Sequence, residues 1–325
     1  MQAKLVLSLI GASFLAAFQL VQAQQPQKIP RIGVVSGTGN ANEPDSSAKL
    51  LRQALLELGY VDGKNIMFEY RVSEGNRDRI SAIVAELLNL KVDVLFSTQA
   101  IVIRAAKQAT KTVPIVMAVT PDPVATGLVD SLARPGGNIT GITRLTRELS
   151  GKRLELLTEM IPRLSRVGIL SMAGFTPSKD YEAAARSLKV SLQILEVPGP
   201  PPDLLRAFQA AVKGRVGAVI TTSTPGLAGY QKEIAGLAVQ NQLPLMSESV
   251  TGIEAGALVS YDANRVEIFK RAAVLIDKIL KGTKPADLPV EQPLKFDLHI
   301  NQKTAKQIGL KIPPEVLARA NRIIR

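Results

Sequence analysis

Cysteine and tryptophan are absent from this chain, and histidine occurs once, at His299. Without cysteine there are no disulfides and no thiolate chemistry, so the fold must stand on its core. One histidine and no cysteine leave a zinc or other transition-metal site without its usual ligands. A Ser-His-Asp mechanism would have to use His299, which lies in a strand-like run, and no Gly-x-Ser-x-Gly turn occurs. Gly37-Thr38-Gly39 follows a strand, but Asn42 stands where the dinucleotide fingerprint needs its third glycine. Gly59 to Lys64 has one residue too few between its glycines for a phosphate loop, and it follows a helix. No catalytic signature and no cofactor motif remain, so a non-enzyme is expected.

Aromatic residues make up only 4% of the chain, and there is no basic run of five. The net charge of +12 comes from scattered cations with acids between them, as in Lys152, Arg153, Glu155, Glu159 and Arg163. A nucleic-acid surface wants clustered cations and stacking rings, so that class is excluded.

What is present begins with an export signal. Lys4 is the only charge in Met1–Ala23, and Leu5–Ala17 is apolar apart from Ser8, Gly11 and Ser13. Val21-Gln22-Ala23 offers small or apolar residues where a signal peptidase reads. The run falls short of the roughly twenty apolar residues of a membrane span. Cleavage after Ala23 is expected, with no cysteine there to carry a lipid. The remaining roughly 300 residues are enough for two domains with full cores.

The organising stretch is Pro114–Thr143, PIVMAVTPDPVATGLVDSLARPGGNITGIT. An apolar strand, Ile115–Val119, ends at Thr120-Pro121-Asp122-Pro123, and Pro135-Gly136-Gly137-Asn138 dictates a tight turn. Ile139–Thr143 then reads as a strand crossing from one α/β lobe into another. On either side strands alternate with helices of 3.6 period, such as Arg77–Asn89 with Ile80, Ile83, Val84, Leu87 and Leu88 on one face. That alternation calls for parallel sheets with right-handed crossovers. Later segments suit a chain that crosses back: Ala257–Tyr261 as a strand, a long helix stopped by Gly282, and Leu294–Ile300 as a last strand. A closing helix follows Asn301, and Pro313-Pro314 opens a final one expected to reach Ile324. The expected division is residues 1–23 signal peptide, 24–30 lead-in, 31–140 with 263–292 as lobe one, and 141–262 with 293–325 as lobe two.

Ligands in open α/β sheets sit beyond the carboxyl ends of the strands, so two such lobes face each other across a cleft. Those ends carry small hydroxyls, amides and acids: Ser36, Gly37 and Thr38, Ser97, Thr98 and Gln99, Thr120 and Asp122, and Thr143, then Ser171, Ser223, Thr224, Glu248 and Asp262. Each hydroxyl taken alone also fits a helix cap or turn. Together, N–H and O–H donors suit a carboxylate and the acids suit an ammonium, which points to a zwitterion such as an amino acid. Phe175 and Tyr261 can supply an apolar wall. Ser36, Thr38, Ser97, Thr98 and Asp122 are expected from lobe one, Ser171, Phe175, Ser223 and Glu248 from lobe two, with Thr143 and Tyr261 near the hinge.

Several stretches resemble one family. Leu58-Gly59-Tyr60-Val61-Asp62-Gly63-Lys64-Asn65-Ile66, with Phe68-Glu69-Tyr70-Arg71 behind it, is similar to the first-lobe signature of ABC-transporter substrate-binding proteins, some of them linked with tryptophan or other aromatic amino acids. Asp122-Pro123-Val124 through Gly127-Leu128-Val129 to Arg134-Pro135-Gly136-Gly137-Asn138-Ile139-Thr140-Gly141 resembles the central motif. Gly151-Lys152-Arg153-Leu154-Glu155-Leu156-Leu157 and Gly256-Ala257-Leu258-Val259-Ser260-Tyr261 are similar to later blocks. The resemblance implies a type I periplasmic-binding fold: two Rossmann-like lobes with parallel sheets joined by three crossing segments. It also implies a periplasmic protein that captures a small solute and hands it to an inner-membrane permease; a monomer is expected. Ligand sensing for a membrane receptor is the alternative role, and an exported α/β enzyme is disfavoured by the missing motifs.

Overall fold

A computed structural model describes residues 28–36, 45–73, 77–119, 122–144, 149–174, 179–199 and 201–325. The expected signal segment and the expected ligand positions Gly37, Thr38, Thr120 and Phe175 lie outside these residues.

Two sheets organise the chain. The first takes β1 (Arg31–Ser36), β2 (Met67–Val72), β3 (Val94–Ser97), β4 (Ile115–Val119) and β5 (Ile139–Thr143) in the order β2-β1-β3-β4-β5, all parallel. Helices α1 (Ser46–Glu57), α2 (Arg77–Asn89) and α3 (Ala100–Ala109) make the crossovers. Every residue of β3, β4 and β5 is buried, as expected of parallel strands covered on both faces. Asp45 caps α1 by accepting the Ala48 N–H at 2.8 Å.

The second sheet takes β6 (Arg166–Met172), β7 (Ser191–Val197), β8 (Ala218–Thr221), β9 (Leu245–Ser247), β10 (Val259–Ala263), β11 (Phe296–Asn301) and β12 (Arg322–Ile324). Their order is β12-β11-β10-β9-β8-β6-β7. Around them run α4 (Leu149–Met160), α5 (Lys179–Leu188), α6 (Leu204–Lys213), α7 (Pro225–Ala228), α8 (Gln231–Gln240) and α9 (Val250–Ala255). Then come α10 (Arg265–Leu280), α11 (Gln302–Gln307) and α12 (Pro314–Ala318). The strands are parallel except for β11, antiparallel to β10, and β12, which pairs parallel with β11 and so shares its direction.

Two expectations need correction. Ile139–Thr143 is not the crossing itself. It pairs with β4 from Ile115↔Ile139 to Val119↔Thr143 and closes the first sheet, and the chain leaves only afterwards. Its mid-point, Gly141, sits at φ +144, and a Cβ there would lie 2.0 Å from the Met117 carbonyl oxygen. The motif's glycine therefore lets two backbones approach within the sheet. The final helix stops at Ala318 rather than Ile324. Asn321 exchanges two 2.8 Å bonds with the backbone of Leu298, which lays Arg322–Ile324 beside β11 as a strand.

The cores follow the sheets, with α10 the exception in chain order. It follows β10 of the second sheet, yet Ile268, Phe269, Ala272 and Ile276 pack with α1 and β3 of the first, Phe269 against Phe96 at 5.9 Å between ring centroids. Beyond it the Glu291 N–H bonds the Gly141 carbonyl at 2.8 Å and the Thr143 N–H bonds the Glu291 carbonyl at 2.9 Å, sealing the free edge of β5. The chain then returns to the second sheet as β11.

Candidate functional site

The carboxyl ends of the first sheet are tied locally. Ser36 ends β1, and its hydroxyl bonds the Asp45 carboxylate, while the Tyr70 hydroxyl accepts the Asp45 N–H at 3.1 Å. Ser97 ends β3, donating to the Val35 carbonyl at 2.8 Å and accepting the Gln99 N–H at 3.1 Å. Thr98 and Gln99 are half-buried at the start of α3, and the Gln99 side chain makes no cap bond. Asp122 accepts the Val124 and Ala125 N–H groups at 2.9 and 3.2 Å, a turn-forming arrangement. Thr143 is fully buried, and its hydroxyl has no partner among the described residues.

The second sheet presents a different construction. Glu248, just past β9, accepts the Tyr181 hydroxyl at 2.7 Å and the Ser223 N–H at 2.9 Å, and Arg153 Nη1 lies 3.4 Å from the same carboxylate. Arg153 Nε also donates to the Tyr261 carbonyl at 3.0 Å. Two positions read from the sequence, Glu248 and Tyr261, are thus held by one guanidinium that is 0% exposed, and a third, Ser223, is held through Glu248. Burial works against the Arg153 cation, but Tyr181, Glu248 and Asp262 outweigh it and hold the group above its ordinary value. Burial, and then the Glu248 charge, push the Tyr181 phenol well above its usual range, so it stays a donor.

Beside this network, with Ser223 common to both, lies a cavity of about 120 Å³ whose lining is mostly hydroxyl: Thr222, Ser223, Thr224, Ser247, Ser249 and Thr251, with Gln231 and Ala228. Thr224 is buried without a partner for its hydroxyl among the described residues, and so is Ser171 near the end of β6. The Tyr261 ring stacks at 6.0 Å on Phe296 and joins the second core, so its wall role is shared with packing.

A third group lies where the chain passes between the sheets. Asp262, buried in β10, is 3.7 Å from Arg144, the residue after β5. Arg265, at the start of α10, donates to the Ser46 and Ser47 hydroxyls at 3.0 and 3.1 Å. Burial and the nearby Arg144 charge lower the Arg265 pKa, while Glu254, Asp45 and Asp262 oppose that. Two guanidiniums and two carboxylates therefore share the carboxyl ends of β1, β5 and β10. That arrangement can answer both signs of a zwitterion.

Sequence reasoning named Asp262 but missed Arg144, Arg153, Tyr181 and Arg265. For Arg153 a signal existed: Leu149, Arg153 and Leu157 recur every four residues with Met160 following, and all are buried. A cation on the apolar stripe of a helix needs a buried acceptor. No group of three or more His, Cys, Asp or Glu able to hold a metal occurs among the described residues. No helix among them is long and apolar enough to cross a membrane.

Comparison with known proteins gives the same fold. A solved conserved domain protein from Vibrio cholerae is 27% identical with a TM-score of 0.79, covering 91% of this chain and 100% of its own. A domain solved in complex with L-Trp from Streptococcus pneumonia is 24% identical, also at 0.79, covering 91% and 99%. A tyrosine-binding protein of Clostridioides difficile (strain R20291) is 23% identical over 280 residues, 82% of this chain and 77% of that protein. The family described as ABC transporter substrate binding protein matches residues 41–324. With that match over most of its length, and a type I periplasmic-binding fold built from two largely parallel sheets, the chain belongs to the ABC transporter substrate-binding protein family.

Proposed function

We propose that this chain is the exported, monomeric receptor of an ABC importer and that it captures an α-amino acid in the cleft between two lobes. The observation that carries the amino-acid reading is the mixed-charge group of Arg144, Arg265, Asp262 and Asp45 beside buried hydroxyls. A carboxylate finds guanidinium and hydroxyl donors there, and an ammonium finds Asp262. The tyrosine-binding relative and the L-Trp-bound neighbour support an aromatic side chain. Lobe one comprises residues up to β5 with α10 and the segment to Glu291, and lobe two comprises α4 to β10 with β11 to β12. Ligand contacts from both lobes stabilise the closed form that an inner-membrane permease recognises in the periplasm. The chain performs no chemistry of its own.

The test is a thermal-shift and calorimetric screen of the mature protein against L-tyrosine, L-tryptophan, branched amino acids, sugars and small carboxylates. A ligand at about 100 times its Kd adds roughly 2.7 kcal/mol, a shift of several degrees. Binding of amino acids but not of sugars is the expected result. A sugar hit without an amino-acid hit overturns the zwitterion reading.

A further inference from the structure

We propose that Arg153 is a positioning residue of the second-lobe half of the site, and that Glu248 acts with it as an internal strut rather than as the acceptor of a ligand's ammonium. The inference deepens the proposed amino-acid reading and rests on it only for its second experiment.

The geometry argues this from three donors. The Ser223 N–H meets one carboxylate oxygen of Glu248, and the Tyr181 O–H and Arg153 Nη1–H meet the other. The carboxylate is closely held, and its side chain is only 11% exposed. Its charge faces a guanidinium that is wholly buried. An ammonium brought to this carboxylate would be a further donor beside Arg153, and like charges in a poorly solvated site repel strongly. Asp262 differs in its donors. It too lies among guanidiniums, Arg144 at 3.7 Å and the Arg153 and Arg265 charges nearby, and its side chain is 6% exposed. Among the described residues, however, its carboxylate accepts a single hydrogen bond, from the Ala263 N–H at 2.8 Å, so acceptor positions remain open. Asp262 is therefore the better ammonium acceptor.

The strut has a mechanical consequence. Arg153 issues from α4 and reaches two separate connections: the one after β9 through the Glu248 side chain and carbonyl, and β10 through the Tyr261 carbonyl. Glu248 then passes the restraint to the connection after β8 through Ser223. The hydroxyl-lined cavity lies between those connections, with Ser223, Thr224, Ser247 and Ser249 on its wall. Gly252 leaves no slack there, since a Cβ would stand 2.1 Å from the Ser247 hydroxyl oxygen. One buried cation thus sets the spacing of the cavity walls before any ligand arrives, the preorganisation that lowers the cost of binding.

The first experiment needs no ligand. Amide hydrogen exchange is followed in the mature chain and in Glu248→Gln and Tyr181→Phe. A carboxamide has one acceptor oxygen where three donors converge, so Glu248→Gln leaves one donor facing an NH2 group. Exchange at Ser223 is expected to rise about tenfold or more, with less at Tyr181→Phe, while the β1 amides keep their rates. Unchanged exchange at Ser223 in Glu248→Gln overturns the proposal. The second experiment titrates L-tyrosine and its analogue lacking the α-amino group. Equal weakening of both by Glu248→Gln, with selective loss of L-tyrosine in Asp262→Asn, is expected. A loss in Glu248→Gln confined to the amine-bearing compound overturns the proposal even if Ser223 exchange rises. If neither compound binds the parent protein, the aromatic reading of the ligand fails, and the exchange experiment still decides whether the Glu248 strut holds the connection after β8.

Discussion

The two sheets present their carboxyl ends by opposite means. On the first, three polar residues are satisfied by short-range partners, Ser36 by Asp45, Ser97 by the neighbouring strand and its own turn, Asp122 by the two amides that follow it, with Thr143 the exception. On the second, Arg153 spans about a hundred residues of sequence to reach Glu248 and Tyr261. Local caps are tolerant, because losing one leaves the others in place. A single buried cation is not, because its removal strands a carboxylate in a poorly solvated site.

The largest expected effect breaks that asymmetry directly. Arg153→Met should cost about 3–5 kcal/mol, the usual penalty for leaving a buried charge without its partner. Adding Glu248→Gln to Arg153→Met should recover part of the loss, because the stranded charge is then gone. Chemical denaturation of the three variants checks this. A double variant no more stable than Arg153→Met would show that the two groups are not coupled.

Next in size is a backbone test on the first sheet. Gly141→Ala places a methyl against the Met117 carbonyl at a φ of +144 that side chains avoid. A loss of roughly 2–3 kcal/mol is expected from strain and overpacking together. Calorimetry should show the lower-melting transition to be that of the first lobe, with the second-lobe network intact.

The contrast between the sheets is also the contrast between what could and could not be read in advance. Asn301 caps the closing helix that the sequence places after it, because a cap is decided within three residues. The strand–helix alternation placed Ser36, Ser97, Ser171, Ser223 and Glu248 at strand ends for the same local reason. Arg153 was read among scattered surface charges because its acceptor lies about a hundred residues away, and no local rule pairs them. The end of the chain failed likewise. Pro314 does open a helix, but Asn321 bonds Leu298 and converts the next residues into a strand, a decision made by the sheet rather than by propensity. Ile139–Thr143 was recognised as a strand yet given to the passage between lobes, since pairing with β4 depends on a close approach visible only in three dimensions.

A smaller effect sharpens the comparison from the first lobe's side. Asp45→Ala removes the α1 cap and the anchor of Ser36. About 1 kcal/mol of stability should go with the cap, a few degrees at most. If the two lobes are held as argued, ligand-free exchange at Ser223 stays unchanged in this variant. A rise there would mean that the first-lobe caps also restrain the second-lobe cavity.

The smallest effect appears only at high pH. Tyr60 donates to the Asp277 carboxylate at 2.8 Å, joining the turn after α1 to α10. Burial first, and then the Asp277 bond and charge, push its phenol up to about 12. The folded protein therefore keeps a proton that the unfolded chain, with an ordinary phenol near pH 10, releases. The stabilisation is fully present below about pH 10 and is lost as pH rises towards about 12. Tyr60 is only partly buried, so solvent screening keeps the contribution modest. Tyr60→Phe should be slightly less stable at pH 8 and should lose less than the parent between pH 10 and 12. Tyr181, buried in the other lobe, titrates in both proteins and cancels in the difference. Parallel urea curves for parent and variant across that window would place the alkaline sensitivity elsewhere and remove Tyr60 as the tie between α1 and α10.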